Sequence, residues 1–193
     1  MRTIKKITVL GSGVMGAGIA CHFANAGYQV MMLDLPSTGE GQRRNQIAEL
    51  ALGQAVKQKP APLYQAGFIS RIQTGNFDDD LPRIKDSDWI IEVIVEKLDI
   101  KQSLFERLEQ FRKPGTIISS NTSGIPTHLM AAGRSDDFRK NFLGTHFFNP
   151  PRYLRLLEII PTPETDPELV SFMMHFGETF LGKQTVLCKD TPA

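Results

Sequence analysis

The chain has 193 residues, 41% of them hydrophobic and 22% charged, with a formal net charge of +1 at neutral pH. That length and balance fit one substantial globular domain or one and a half small ones, and exclude a disordered chain. The near-neutral charge gives no reason to invoke nucleic acid or an anionic membrane surface as a partner, and no apolar run approaches the ~20 residues needed to cross a bilayer.

Met1-Arg2-Thr3-Ile4-Lys5-Lys6 is basic and precedes an apolar stretch, as a signal peptide does. The apolar run is short, however, and enters a glycine turn without a small-residue cleavage pattern, so it reads as a first strand. Ile7-Thr8-Val9-Leu10 leads directly into Gly11-Ser12-Gly13-Val14-Met15-Gly16 and an Ala-rich helix. This is G-x-G-x-x-G in the strand-to-helix setting that a dinucleotide site requires. Gly11 permits the tight turn, Gly13 lets a pyrophosphate approach the backbone, and Gly16 lets helix and strand pack closely. The N–H groups of Val14, Met15 and Gly16 open the helix and face the anion. Gln29-Val30-Met31-Met32-Leu33 is the second strand and ends at Asp34. A carboxylate there accepts hydrogen bonds from ribose hydroxyls and repels a 2′-phosphate, which favours NAD over NADP.

A turn-rich stretch follows, then a loosely amphipathic helix expected over residues 42–58, ended by Lys59-Pro60-Ala61-Pro62. Its basic residues Arg43, Arg44, Lys57 and Lys59 read as a solvated face in preference to a contact for an anionic ligand tail. Residues 71–75 form a short strand, and Asp78-Asp79-Asp80 a solvated acidic loop without the alternating ligands of a calcium site. Trp89-Ile90-Ile91-Glu92-Val93-Ile94-Val95 is apolar enough for a strand buried on both faces. A helix over 99–111 with Ile100, Leu104 and Leu108 on one face, and a strand over 116–120, come next. Beyond them the pattern predicts a short helix over 125–132, strands over 141–148 and 154–160, a helix over 167–180 and a last strand over 184–187. Strands alternating with helices along the whole length predict an α/β fold: a Rossmann-type doubly wound, largely parallel sheet with helices on both faces. The short spacing of the last strands leaves room for antiparallel pairing.

Ligands of such sheets collect at the carboxyl ends of the strands. Glu96, Lys101, Ser123, His146 and Asn149 all fall there. Plainer roles compete: Ser123 as a helix N-cap, Asn149 as a turn former before Pro150, Lys101 as a helix-surface charge. A lone His146 is as compatible with the core as with base chemistry. Glu158 is more unusual, because a carboxylate within Leu156-Leu157-Glu158-Ile159-Ile160 needs a partner. His146 supplies one: the carboxylate takes one ring N–H, fixes the tautomer and leaves the other nitrogen free to remove a proton from an alcohol as hydride leaves its carbon. His22, His128 and His175 lack an obvious carboxylate partner and read as packing or surface residues. Cys21 and Cys188 are the only cysteines, far apart, which points to a reducing compartment. Cys21 reads as a small core residue, and no His or Cys spacing indicates a metal.

Taken together, Gly11 to Ala20, Glu92-Val93-Ile94-Val95-Glu96, Ser120-Asn121-Thr122-Ser123, His146-Phe147-Phe148-Asn149-Pro150-Pro151, Leu157-Glu158-Ile159-Ile160 and Lys189-Asp190-Thr191-Pro192 resemble the NAD-binding domain of the L-3-hydroxyacyl-CoA dehydrogenases of fatty-acid β-oxidation. The resemblance covers essentially the whole chain. It implies His146 as catalytic base, Glu158 as its orienting carboxylate and Ser123 as a contact to the substrate oxygen near the nicotinamide. Asp34, Glu96, Lys101 and Asn149 are implied as NAD contacts. A 3-hydroxyacyl-CoA substrate, an oligomeric full-length protein and a cytoplasmic location go with it. Residues 52–81 are closer to the long multifunctional members, in which an enoyl-CoA hydratase domain is joined to the dehydrogenase. In the family the Asp-Thr-Pro motif leads into a helical C-terminal domain with a catalytic asparagine, one wall of the acyl cleft and most of the dimer contact. Residues 1–193 therefore read as one NAD-binding domain without that helical domain, able to bind NAD but nearly inactive alone. Two other readings are weighed. A β-hydroxyacid dehydrogenase uses a lysine base, against the His146–Glu158 pair, and a non-catalytic NAD-binding relative has no need of that pair or Ser123.

Overall fold

In the computed structural model, which describes residues 2–191, eight strands form one sheet in the order β3-β2-β1-β4-β5-β6-β7-β8. The strands are β1 (Lys6–Leu10), β2 (Gln29–Asp34), β3 (Ile72–Asn76), β4 (Trp89–Glu92), β5 (Ile117–Ser120), β6 (Phe142–Phe147), β7 (Leu156–Pro161) and β8 (Gln184–Leu187). The helices are α1 (Val14–Asn25), α2 (Gln46–Ala55), α3 (Leu98–Glu109), α4 (Thr127–Ala131), α5 (Asp136–Lys140) and α6 (Pro167–Thr179). The expected doubly wound sheet is present, with β6 and β7 as its antiparallel pair. The segment between them holds no helix, and a parallel return needs a crossover that such a link cannot supply. A parallel return reappears at β7 to β8, where α6 provides the crossover.

Two cores lie on opposite faces. Val9, Phe23, Trp89, Leu157 and Phe176 belong to the face covered by α1, α2 and α6, and Leu10, Ile90, Phe105, Phe138 and Phe142 to the face covered by α3, α4 and α5. β1 pairs with β2 on one side and β4 on the other, so the chain winds away in both directions from it. The crevice at the carboxyl end of β1 is the topological switch point where such sheets bind ligands.

Several boundaries differ from expectation. The second helix occupies Gln46–Ala55, shorter than 42–58. β4 stops at Glu92, three residues early, because the Glu92 side chain takes the Ile94 N–H at 2.7 Å and removes it from the ladder. α5 was not foreseen, although Ser135 caps it by accepting the Phe138 N–H. Two 3₁₀ segments, Ala66–Arg71 and Leu81–Asp86, were not foreseen, and the first takes Arg71, which was expected to begin the third strand. Pro192 of the Lys-Asp-Thr-Pro motif lies outside the described residues.

Candidate active site

The glycine turn separates two kinds of constraint. Gly11 has φ +106°, and a Cβ there would meet the Val93 carbonyl oxygen at 2.6 Å; a Cβ on Gly16 would stand 1.9 Å from the Gly11 carbonyl oxygen. Both are demanded by the protein's own packing. Around Gly13 a Cβ would meet nothing within 4 Å, so packing does not ask for glycine there. The α1 N-terminus beside it has no side-chain cap. Open space in front of uncapped N–H groups is what a pyrophosphate requires, and the turn fits NAD on that ground. At the end of β2, one Asp34 oxygen accepts the Ser12 N–H (2.6 Å) and hydroxyl (2.5 Å), and the other accepts the Leu35 N–H (2.7 Å). The carboxylate is thereby held beside the turn, a link not anticipated from the sequence.

Beyond Asp34 lies a recess of about 350 Å³ between Leu35, Phe77, Ile94, Ile100 and Leu104. Ile100 was read on one apolar face with Leu104 and Leu108, yet it is 41% exposed while those two are buried. One turn into α3 it faces this slot instead of the sheet.

Lys101 is not a surface charge. It is 1% exposed, with Nζ 2.7 Å from Glu92 Oε1 and 3.2 Å from Glu96 Oε2. Glu92 is fully buried and also accepts from the Ser120 hydroxyl at 2.5 Å. Burial pushes its carboxyl above the usual range, opposed by the Lys101 charge and these hydrogen bonds. The Glu96 side chain folds onto its own protein: Oε1 accepts the hydroxyl of Thr122 and the N–H groups of Ser123 (3.2 Å) and Gly124 (3.1 Å). Partial burial pushes the Glu96 carboxyl up, but the Thr122 hydroxyl, the Lys101 charge and the Gly124 N–H outweigh it and hold it low. Glu96 thus shapes the loop that carries Ser123. Ser123 is exposed and does not cap α4, whose N-cap is Pro126.

The antiparallel register sets His146 opposite Glu158, and Nδ1 stands 2.8 Å from Glu158 Oε2. Both side chains are partly exposed, at 19% and 30%. An adjacent strand link positions the histidine: the Phe147 N–H donates to Asn121 Oδ1 at 2.8 Å, tying the carboxyl end of β6 to the loop after β5. The His146 ring also lies 4.5 Å from that of Phe148. A recess of about 560 Å³ gathers Gly13, Val14, Met15, Lys101, Ser123, His146 and Asn149 around one opening. Gly11 and Gly16 support it from behind, Asp34 stands off along β2, and Glu158 backs His146. A smaller recess of about 180 Å³ beside Lys6 and Gln29, at the amino ends of β1 and β2, holds none of the predicted site residues.

The remaining readings divide. His128, read without a carboxylate partner, has one: Asp190 Oδ2 lies 2.6 Å from its Nδ1, while Asp190 accepts the N–H groups of Thr127 and His128 at the start of α4. The acidic loop is ion-paired, Asp79 with Arg44 at 2.6 Å and Asp80 with Arg83 at 2.9 Å, which also occupies one basic residue of the supposed solvated face. His175 is exposed on α6. His22 is 5% exposed with neither ring nitrogen in a well-formed hydrogen bond. Cys21 is fully buried, and burial pushes its thiol up to about 11.

The sequence model described as "3-hydroxyacyl-CoA dehydrogenase, NAD binding domain" matches residues 6–191. A probable 3-hydroxyacyl-CoA dehydrogenase of Bacillus subtilis is 52% identical over 202 residues, covering 98% of this chain and 26% of its own length. A putative fatty acid oxidation complex trifunctional enzyme of Rickettsia felis is 42% identical over 189 residues, with the same 98% and 26% coverage. Among solved structures, 3-hydroxybutyryl-CoA dehydrogenase from Escherichia coli K12 aligns with a TM-score of 0.81 at 28% identity, over 98% of this chain and 39% of that one. The chain thus spans about a quarter of the length of these two curated relatives. With the glycine turn, the switch-point crevice and nearly every residue accounted for by that match, the chain belongs to the 3-hydroxyacyl-CoA dehydrogenase family as its NAD-binding domain.

Proposed function

We propose that this domain serves an enzyme that oxidises L-3-hydroxyacyl-CoA to 3-ketoacyl-CoA in fatty-acid β-oxidation. The carrying observation is the His146–Glu158 pair, 2.8 Å apart, at the opening that also contains Gly13 and Met15. With Nδ1–H donated to Glu158, His146 keeps the Nε2 lone pair for the substrate hydroxyl proton. NAD, when bound, supplies the ring that takes hydride from the adjacent carbon. Ser123, exposed at the same opening, donates to the substrate oxygen and orients the C–H bond. Glu158 locks the imidazole tautomer and stabilises the imidazolium formed by proton removal.

For the cofactor, the uncapped start of α1 beside Gly13 takes the pyrophosphate, and Asp34 the adenosine ribose hydroxyls. The apolar slot at Ile94 and Ile100 takes the flat adenine ring. Lys101 and Asn149 line the nicotinamide end, and Glu96 acts there through the loop it holds. The acyl cleft needs a second wall, which we assign, with the oligomer contacts and a fused hydratase domain, to further sequence of the kind the longer relatives carry; their length and the trifunctional relative support this. Residues 1–193 by themselves then bind NAD with little turnover. Two free cysteines, one of them buried, support the reducing cytoplasm as the compartment; among the described residues no helix is long and apolar enough to cross a membrane.

The test is His146→Gln in the full-length enzyme. NAD affinity should stay within about twofold, while oxidation of 3-hydroxybutyryl-CoA falls by roughly 10²–10⁴, the usual contribution of a positioned base. Activity near that of the parent would refute the assignment. Turnover of acetoacetyl-CoA by residues 1–193 near the full-length rate would refute the second-wall argument.

A further inference from the structure

A second recess, of about 390 Å³, is lined by His22, Tyr64, Arg152, Tyr153, Arg155 and Lys183 among others, and so shares the segment 148–155 with the opening at His146, to which Phe148 and Asn149 belong. Its placement follows from the sheet. β7 runs antiparallel to β6 and β8 parallel to β7, so Arg155, just before β7, and Lys183, just before β8, emerge at the same edge as the carboxyl end of β6. The Gln184 N–H donates to the Arg155 carbonyl at 2.8 Å and fixes the two side by side. Phe147, next to His146 in sequence, packs against His22 at 6.3 Å between rings and under the Lys183 ammonium at 5.5 Å.

The charges in this recess are uncompensated. Arginines elsewhere, such as Arg44, Arg83, Arg112 and Arg139, sit against carboxylates. Among the described residues, Arg152, Arg155 and Lys183 make no ion pair, and no Asp or Glu lines the recess. Lys183 is only 6% exposed, its ammonium bonded solely to the carbonyls of Pro151 and Leu154. His22 forms part of the recess wall and is equally buried, its ring nitrogens shielded from solvent and without a well-formed partner. The Arg152 guanidinium lies over the Tyr64 ring at 4.2 Å and the Tyr153 ring at 4.9 Å, and both tyrosines are largely exposed. Cations without carboxylate partners select an anion, and exposed aromatic faces beside them select one carried next to a flat ring.

We propose that this recess binds the phosphate groups at the nucleotide end of a coenzyme A thioester. The inference rests on the acyl-CoA reading above and deepens it, because one segment, 148–155, lends Phe148 and Asn149 to the opening at His146 and Arg152, Tyr153 and Arg155 to the cationic recess. The thioester's reactive end then reaches the first while its phosphates occupy the second.

The experiment follows the His22 ring resonances by NMR in the protein and in Arg155→Glu, a substitution at an exposed side chain with no hydrogen bond or ion pair to lose. The probes are coenzyme A, adenosine 3′,5′-bisphosphate and inorganic phosphate, with NAD as the control. The expected result is that coenzyme A and the bisphosphate move the His22 signals, and that Arg155→Glu weakens both by about tenfold while NAD affinity is unchanged. Coenzyme A binding equally to both proteins without moving His22 overturns the recess and leaves the acyl-CoA reading standing. Inorganic phosphate moving His22 while the other two fail leaves a phosphate site but overturns its assignment to coenzyme A. No response from any probe overturns the proposal outright.

Discussion

Replacing Lys101 by Met probes the buried charge cluster at the wall of the recess that holds His146. Lys101 is 1% exposed and its Nζ lies 2.7 Å from Glu92 Oε1. At that separation two unit charges attract by about 6 kcal/mol at an effective dielectric of ~20. Methionine keeps most of the volume, so packing changes little and the loss is electrostatic. The surviving hydrogen bonds from Ser120 and Ile94 to Glu92, and its protonation, cap the cost. Breaking one partner of a buried pair then costs about 3–5 kcal/mol, equivalent for a chain of this size to a Tm drop of roughly 6–20 °C. The pH dependence has a definite sign. Burial already pushes the Glu92 carboxyl up with Lys101 as the leading opponent, so the variant holds a proton in the folded state that the unfolded chain releases above its ordinary value. The stability deficit is therefore largest at neutral pH and shrinks as pH falls toward ~4.5. Urea unfolding of wild type, Lys101→Met and Glu92→Gln/Lys101→Met across pH 4.5–8 checks this, with the double variant recovering most of the loss. A single-variant deficit below ~1 kcal/mol without pH dependence would refute a charged, buried pair.

Two further outcomes follow from geometry already described. Gly13→Ala, whose Cβ would meet nothing within 4 Å, should leave Tm within about 2 °C yet weaken NAD by roughly tenfold or more, because the methyl occupies cofactor space. Gly16→Ala, forced to 1.9 Å from the Gly11 carbonyl, should unfold the turn and lower Tm itself; equal melting of the two variants by calorimetry would contradict this. Burial, helped by the Lys183 charge, pushes the His22 imidazole down to about 3, and a nearby Leu181 backbone group offsets only part of it. The unfolded chain therefore binds a proton that the folded one refuses between about pH 6.5 and 3, so stability falls as pH falls through that window, by at most ~1.4 kcal/mol per pH unit. In phosphate-free buffer His22→Leu should flatten the slope of unfolding free energy against pH, and an unchanged slope would assign it to other groups.

Much of this was legible along the chain because it is local. A glycine turn between a strand and a helix, an acid at the next strand's end and the alternation of apolar periods all depend on neighbours within about 30 residues; the turn and the acid appear where the pattern puts them, and the alternation holds apart from the shifted boundaries and the unforeseen α5. The His146–Glu158 pair was legible for a different reason: a carboxylate inside an apolar strand needs a partner, and the histidine at the preceding strand's end was the available one. What the sequence could not disclose depends on distance in space between segments remote in the chain. Lys101 reads as a helix-surface charge until α3 is docked on β4, and Ile100 reads as one apolar face with Leu104 and Leu108 until the rotation of that helix turns it toward the slot beside Asp34. Asp190 and His128 are 62 residues apart, and only closure of the sheet brings them into contact. Local pattern determined that a glycine turn of the dinucleotide-binding type stands at the end of β1. The tertiary structure alone decided which glycine packing leaves open, which carboxylates are buried against a lysine, and that His22, Arg152, Arg155 and Lys183 meet around one recess, because burial and charge pairing arise only when distant elements exclude water from between them.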